Sequence, residues 1–142
     1  MARVKLALPT LFLFFARVPV RITDVNYGNH LGNDALLSLI HEARMQYLAS
    51  LGFTEMNVAG VGLIMSDAAI EFKAEAFYGD VLRIYVAATD LSRVGFDLYY
   101  KLVKEGSETV VATAKTGMIC FDYTNRKIIG IPHEALERLS GH

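Results

Sequence analysis

Apolar positions along the chain change period three times, and the changes mark out its elements. Residues 11–24, LFLFFARVPVRITD, open as an apolar run and then alternate, with Arg17 and Arg21 opposite Val18, Val20 and Ile22. This predicts a first strand. Pro19 has no N–H to give to a ladder, so the strand belongs at a sheet edge or beside a bulge. The stretch VNYGNHLGND follows. Its Asn and Gly residues tolerate positive φ and bond their own backbone, which predicts a structured loop.

From Asp34 the period becomes helical: Leu36, Leu39, Ile40, Ala43, Tyr47 and Leu51 recur at spacings of three and four, with Gly52 as the stop. Asn33 or Asp34 is the expected N-cap. Leu37 and Leu48 widen the apolar stripe, so other elements should largely enclose this helix. Four strand-like runs follow at 61–75, 79–90, 93–105 and 108–123. The links between them, Tyr78-Gly79-Asp80, Ser92-Arg93 and Glu105-Gly106-Ser107, are tight enough for antiparallel neighbours. A short helix, His133 to Leu139, comes after Pro132. With no repeat or linker, the pattern predicts one α+β domain over residues 1–142. Its order is β-α-β-β-β-β, one long helix wrapped by a five-stranded antiparallel sheet.

Composition adds three constraints. A chain of 142 residues suits one core. A hydrophobic share of 53%, a charged share of 20% and a mean hydropathy of +0.31 are more apolar than a small soluble monomer needs, so part of the surface should meet a second copy, as a homodimer or homotetramer. Fourteen Lys and Arg against fifteen Asp and Glu leave a net charge of -1, which offers no field for gripping nucleic acid. The single cysteine, Cys120, can form neither an internal disulfide nor a CxxC pair, which fits a reducing cytoplasm and a buried structural thiol. Arg3 and Lys5 precede the apolar stretch Leu6 to Ala16, but Pro9 interrupts it, and it is too short to span a bilayer.

The segment Arg21 to Arg44, RITDVNYGNHLGNDALLSLIHEAR, resembles the loop and helix start of the 4-hydroxybenzoyl-CoA thioesterase-like hotdog family. The match runs without a gap between His30 and Glu42-Ala43-Arg44. A second patch, IEFKAEAFYGDV from Ile70 to Val81, is similar to the family's strand, turn and Gly-Asp hairpin. The resemblance implies a hotdog fold and hydrolysis of an acyl-CoA or acyl-carrier-protein thioester. It also implies a dimer whose cleft lies between one copy's helix start and the other's strand. It brings no cofactor and no metal.

Two departures bear on mechanism. The family's catalytic aspartate position is Asn26 here, and the Gly before the His is Asn29. An amide cannot act as a carboxylate base. Glu75 stands where many relatives have proline, and there the chain resembles plant-type acyl-carrier-protein thioesterases, which carry a functional glutamate at that place and a histidine matching His30.

Thioester hydrolysis needs an activated water and donors aimed at the developing oxyanion. Backbone N–H groups near Gly32, Asn33 and Asp34 are the candidate donors, and Gly32 lets a ligand approach closely. His30 is the candidate base. Asp24 either replaces the missing carboxylate or bonds loop amides. Glu75 is either a catalytic carboxylate or part of a solvated strand face, and Asp67 is a further carboxylate in reach of a cleft. Lys73, Arg83 and Arg93 are candidate phosphate contacts. The strip Ser38, His41 and Glu42 reads as a subunit contact or cleft edge, while His133 and His142 receive no role. Two rival functions remain open. One is a hydratase or dehydratase, because Asp24-Val25-Asn26 with His30 looks like the enoyl hydratase motif. The other is a non-catalytic acyl-thioester binding module, suggested by Asn26.

Overall fold

The computed structural model describes residues 1–141. Its first strand, β1 (Phe14–Pro19), is shorter than the alternation suggests, because the chain winds into a 3-10 turn at Ile22–Asp24. The Arg21 N–H donates to Asp24 Oδ2 at 2.8 Å, closing a turn that an extended strand cannot make. After the loop come α1 (Asn33–Ser50), β2 (Gly62–Phe72), β3 (Val81–Thr89), β4 (Gly95–Lys104), β5 (Val110–Asp122), β6 (Lys127–Ile128) and α2 (His133–Ser140). The two-residue β6, paired with β5, adds a sixth strand to the five that the pattern predicts.

All pairings are antiparallel, and the main order is β1-β3-β4-β5-β2. Pro19 therefore lies in an edge strand, as its missing donor requires. The other edge is β2, which bulges between Met65 and Asp67. The inner face of the sheet carries Ile84, Val86, Leu98, Tyr100, Leu102, Ala112 and Ala114, all buried beneath Leu36, Leu39, Ile40, Ala43 and Tyr47 of α1. Burying each large aliphatic side chain there stabilises the fold by about 1.5–3 kcal/mol. In this chain α1 is covered on one side rather than largely enclosed: Leu37, Ser38, His41, Glu42 and Gln46 are exposed.

Both ends of α1 are set by backbone geometry. The N-cap is Gly32, not Asn33 or Asp34, which occupy the first turn; Asn33 Oδ1 accepts the Asp34 N–H at 2.9 Å. The Gly32 N–H is held by the Asp24 carbonyl at 3.0 Å, which pins Gly32 extended and starts the helix directly after it. At the other end Gly52 takes a φ of +82°, and the Phe53 N–H returns to the Leu48 carbonyl at 2.8 Å, a left-handed stop that favours glycine.

Candidate active site

The loop between β1 and α1 folds on itself. The Asn26 N–H donates to the His30 carbonyl and the Asn29 N–H to the Asn26 carbonyl, both at 2.9 Å. This turn puts Asn29 at a φ of +68°, a left-handed conformation that Asn adopts more readily than most residues, so the amide serves where a glycine would. Two side chains then converge above Gly28. Asn26 Oδ1 accepts the Gly28 N–H at 2.9 Å, and a Cβ added to Gly28 would lie 3.2 Å from both that oxygen and His30 Nε2. With the amide oxygen engaged, the Asn26 NH₂ is left to donate. His30 Nδ1 lies 3.3 Å from the Leu31 carbonyl, a contact that requires the proton on Nδ1 and leaves Nε2 as an acceptor.

The loop is fastened to the segment after β2. The Leu31 N–H donates to the Ala76 carbonyl at 2.7 Å. The N–H groups of Lys73 and Ala74 both turn to the Val111 carbonyl, at 2.9 and 3.1 Å, so the chain peels away from the sheet after Phe72. Glu75 therefore lies outside the strand that the alternation assigned to it. The result is a cleft of about 400 Å³ at the start of α1, with His30, Asn33 and Glu75 as polar lining and Leu31, Leu36, Phe72 and Val111 as apolar walls. Of the first-turn amides, Asp34 is taken by Asn33 Oδ1, and the Asn33 N–H has no partner among the described residues. It is an open donor at the positive end of a helix dipole.

Comparison with known proteins places this geometry. The family model of the thioesterase-like superfamily matches residues 20–139. The chain belongs to this superfamily. Over 130 residues it is 32% identical to a protein of Aquifex aeolicus, covering 90% of this chain and 97% of that one. It is 36% identical over 110 residues to the 1,4-dihydroxy-2-naphthoyl-CoA hydrolase of Microcystis aeruginosa, covering 75% of this chain and 78% of that one. The solved 1,4-dihydroxy-2-naphthoyl-CoA thioesterase of Synechocystis superimposes with a TM-score of 0.81 at 25% identity, covering 89% of this chain and 95% of that one. The α+β architecture is thus the hotdog arrangement, with α1 as the central helix.

Within this member of the superfamily the remaining sequence candidates separate. Asp24 is buried, and its carboxylate is engaged by the Arg21 N–H at 2.8 Å and the Arg21 guanidinium at 3.3 Å, so it braces the loop. Gly32 is buried, and the Asp34 carboxylate covers it: a Cβ there would meet Asp34 Oδ1 at 2.7 Å, which leaves little room for the expected close approach of a ligand. Asp67 sits on the sheet face away from α1, where the Lys115 ammonium at 2.8 Å and the Gly117 N–H hold its carboxyl below the usual range. It does not line the cleft. Among the candidate phosphate contacts Lys73 lines the cleft with its ammonium 3.5 Å from Glu71 Oε2, and Arg83 is paired with Glu108 and Tyr85.

His41 is tied within its own chain to Glu55 at 2.6 Å, and Glu55 also accepts from buried Arg44 at 2.8 Å. Burial pushes the Cys120 thiol up to about 11, consistent with a packing role. Exposed His133 pairs with Glu137 one turn on, and His142 lies outside the described residues. Sequence reasoning missed Phe72, Val111 and Ala76 as cleft residues. Phe72 and Glu75 are separated by the departure of the chain from β2, which alternation does not signal.

Proposed function

We propose that this protein hydrolyses an acyl-CoA thioester, aromatic or fatty, in the cleft at the start of α1. The observation that carries the reading is the convergence of His30 and Glu75, distant in sequence, on one apolar-walled cavity beside the Asn33 N–H, which has no partner among the described residues. Membership of the thioesterase-like superfamily and the naphthoyl-CoA hydrolases among its relatives support the same class of substrate. His30 Nε2 takes a proton from water as its oxygen attacks the thioester carbon. The Asn33 N–H donates to the oxyanion as it forms. The C–S bond then breaks, and the thiolate receives the proton back from His30. Glu75 orients the water or the imidazolium. No metal and no redox cofactor enters this scheme.

The same reading makes a dimer the working unit. Among the described residues β2 pairs with β5 alone, and Met65, Ser66, Asp67 and Ala68 are exposed along its middle. An uncovered strand edge of this length favours pairing with a second copy. The lone buried Cys120 supports residence in a reducing cytoplasm.

The test is thiol release from a panel of aroyl-CoA, straight-chain acyl-CoA and acyl-carrier-protein thioesters, 1,4-dihydroxy-2-naphthoyl-CoA among them. Turnover of at least one CoA thioester is expected. Tight acyl-CoA binding with no thiol released would favour a binding module, and consumption of a 2-enoyl thioester without thiol release a hydratase.

A further inference from the structure

The stretch before β1 lies across the sheet face opposite α1. Pairing register assigns that outer face: Tyr85, Lys101, Thr113 and Glu71 stand in one cross-strand row, offset by one residue from buried Ile84, Tyr100 and Leu102. Phe12 meets the Tyr85 ring edge-on at 6.1 Å, and the Leu6 N–H donates to Glu71 Oε1 at 2.6 Å. Between these anchors the chain passes from above β3 to above β2, the open edge of the sheet. Residues 1–5 come before the second anchor and are exposed throughout.

Charge separates along the same line. Residues 1–23 hold Arg3, Lys5, Arg17 and Arg21 and no Asp or Glu, so the remaining chain has 14 − 4 = 10 basic against 15 acidic residues. Arg17 and Arg21 are paired with Glu105 and Asp24 and Lys5 lies close enough to Glu71 of its own chain to act on its charge, whereas Arg3 has no partner among the described residues. The outward-facing polar side chains of β2 beyond the bulge are Asp67 and Glu71. Among the described residues one oxygen of Asp67 is engaged, by Lys115 and Gly117, and its side chain is 61% exposed.

We propose that residues 1–5 form a basic arm that crosses the β2 edge onto the outer face of a second copy, where Arg3 and Lys5 meet the partner's Asp67. This rests on the β2-edge dimer proposed above and names a second contact that holds it. Five extended residues reach about 17 Å, and neighbouring strands stand about 4.8 Å apart, so the arm spans the edge with length to spare. Two-fold symmetry doubles the contact, since each copy gives one arm and receives one.

Two measurements test the arm. In sedimentation, wild type is expected to dimerise, and Arg3→Glu with Lys5→Glu is expected to raise the dimer dissociation constant at least about tenfold, more steeply at low salt than at high. Chains carrying Val4→Cys, mixed with tagged chains carrying Ala69→Cys and gently oxidised, are expected to form the mixed disulfide, with Cys120 buried and silent. A wild-type dimer indifferent to the charge reversal, or one that yields no mixed disulfide, overturns the arm and leaves the dimer standing. A wild-type monomer overturns both.

Discussion

His30 Nε2 and Asn26 Oδ1 both flank Gly28, each 3.2 Å from where a side-chain carbon would stand on that residue. Gly28 is therefore the floor on which base and amide converge. An added methyl must push one of them by a few tenths of an ångström, and a branched side chain must push further. Gly28→Ala is expected to lower thiol release several-fold and Gly28→Val by about 10² or more, the scale of a misplaced reacting group. Circular dichroism and sedimentation should show both variants folded and assembled as wild type. Full activity in Gly28→Val would show that the two side chains need not converge.

Asn26 donates but cannot take a proton. Asn26→Asp keeps the acceptor for the Gly28 N–H and restores the carboxylate common in the family, so activity is expected to stay intact or rise. Asn26→Ala removes the side chain that holds the Gly28 N–H and supplies no carboxylate in its place, and is expected to lower kcat by about 10². The kcat and KM of the two variants, measured with one substrate, check this. Loss of activity in Asn26→Asp would mean that the amide donor itself is indispensable.

The Asp24 carboxylate braces the loop through the Arg21 N–H and guanidinium. Asp24→Ala leaves the Arg21 N–H unpaired and is expected to cost about 1–3 kcal/mol of stability in denaturant unfolding. The activity per folded molecule should change little. A large fall in kcat with unchanged stability would return Asp24 to the list of catalytic groups.

The fold should also weaken in acid through Glu55. Burial alone would raise its carboxyl, but hydrogen bonds from Arg44 and His41 outweigh that and hold it below its ordinary value of 4.5. The folded chain therefore binds this proton less readily than the unfolded one. The stabilisation is fully present above the unfolded value and is lost as the pH falls through it toward the lower folded value. Unfolding midpoints measured from pH 7 down to pH 3 should drop steeply below about pH 5 in wild type and less steeply in Glu55→Gln. Equal slopes would remove Glu55 from the acid response.

The elements with long, regular periods were legible before the structure. The three-and-four spacing of Leu36, Leu39, Ile40, Ala43 and Tyr47 marks α1 because one stripe must cover the sheet. Pro19 marks an edge because it lacks a donor. What pattern cannot carry is hydrogen bonding from loop to loop. The cap at Gly32 depends on the Asp24 carbonyl, the turn at Ile22–Asp24 on the Asp24 carboxylate, and neither has a period. The two residues of β6 are too few to show one. The site divides the same way. His30 stands out in a loop that leads into a helix, whereas the place of Glu75 depends on Lys73 and Ala74 both bonding Val111, which bends the chain out of β2.

Thiol release by His30→Ala and Glu75→Gln, followed in a single turnover with enzyme in excess, bears most directly on thioester hydrolysis in this cleft. His30→Ala is expected to slow the chemical step by about 10²-fold to 10⁴-fold, the usual range for one acid–base group, with acyl-CoA affinity little changed. Glu75→Gln should fall in the same direction. If both variants release thiol at the wild-type rate while folded and assembled as wild type, the chemistry takes place elsewhere on the molecule.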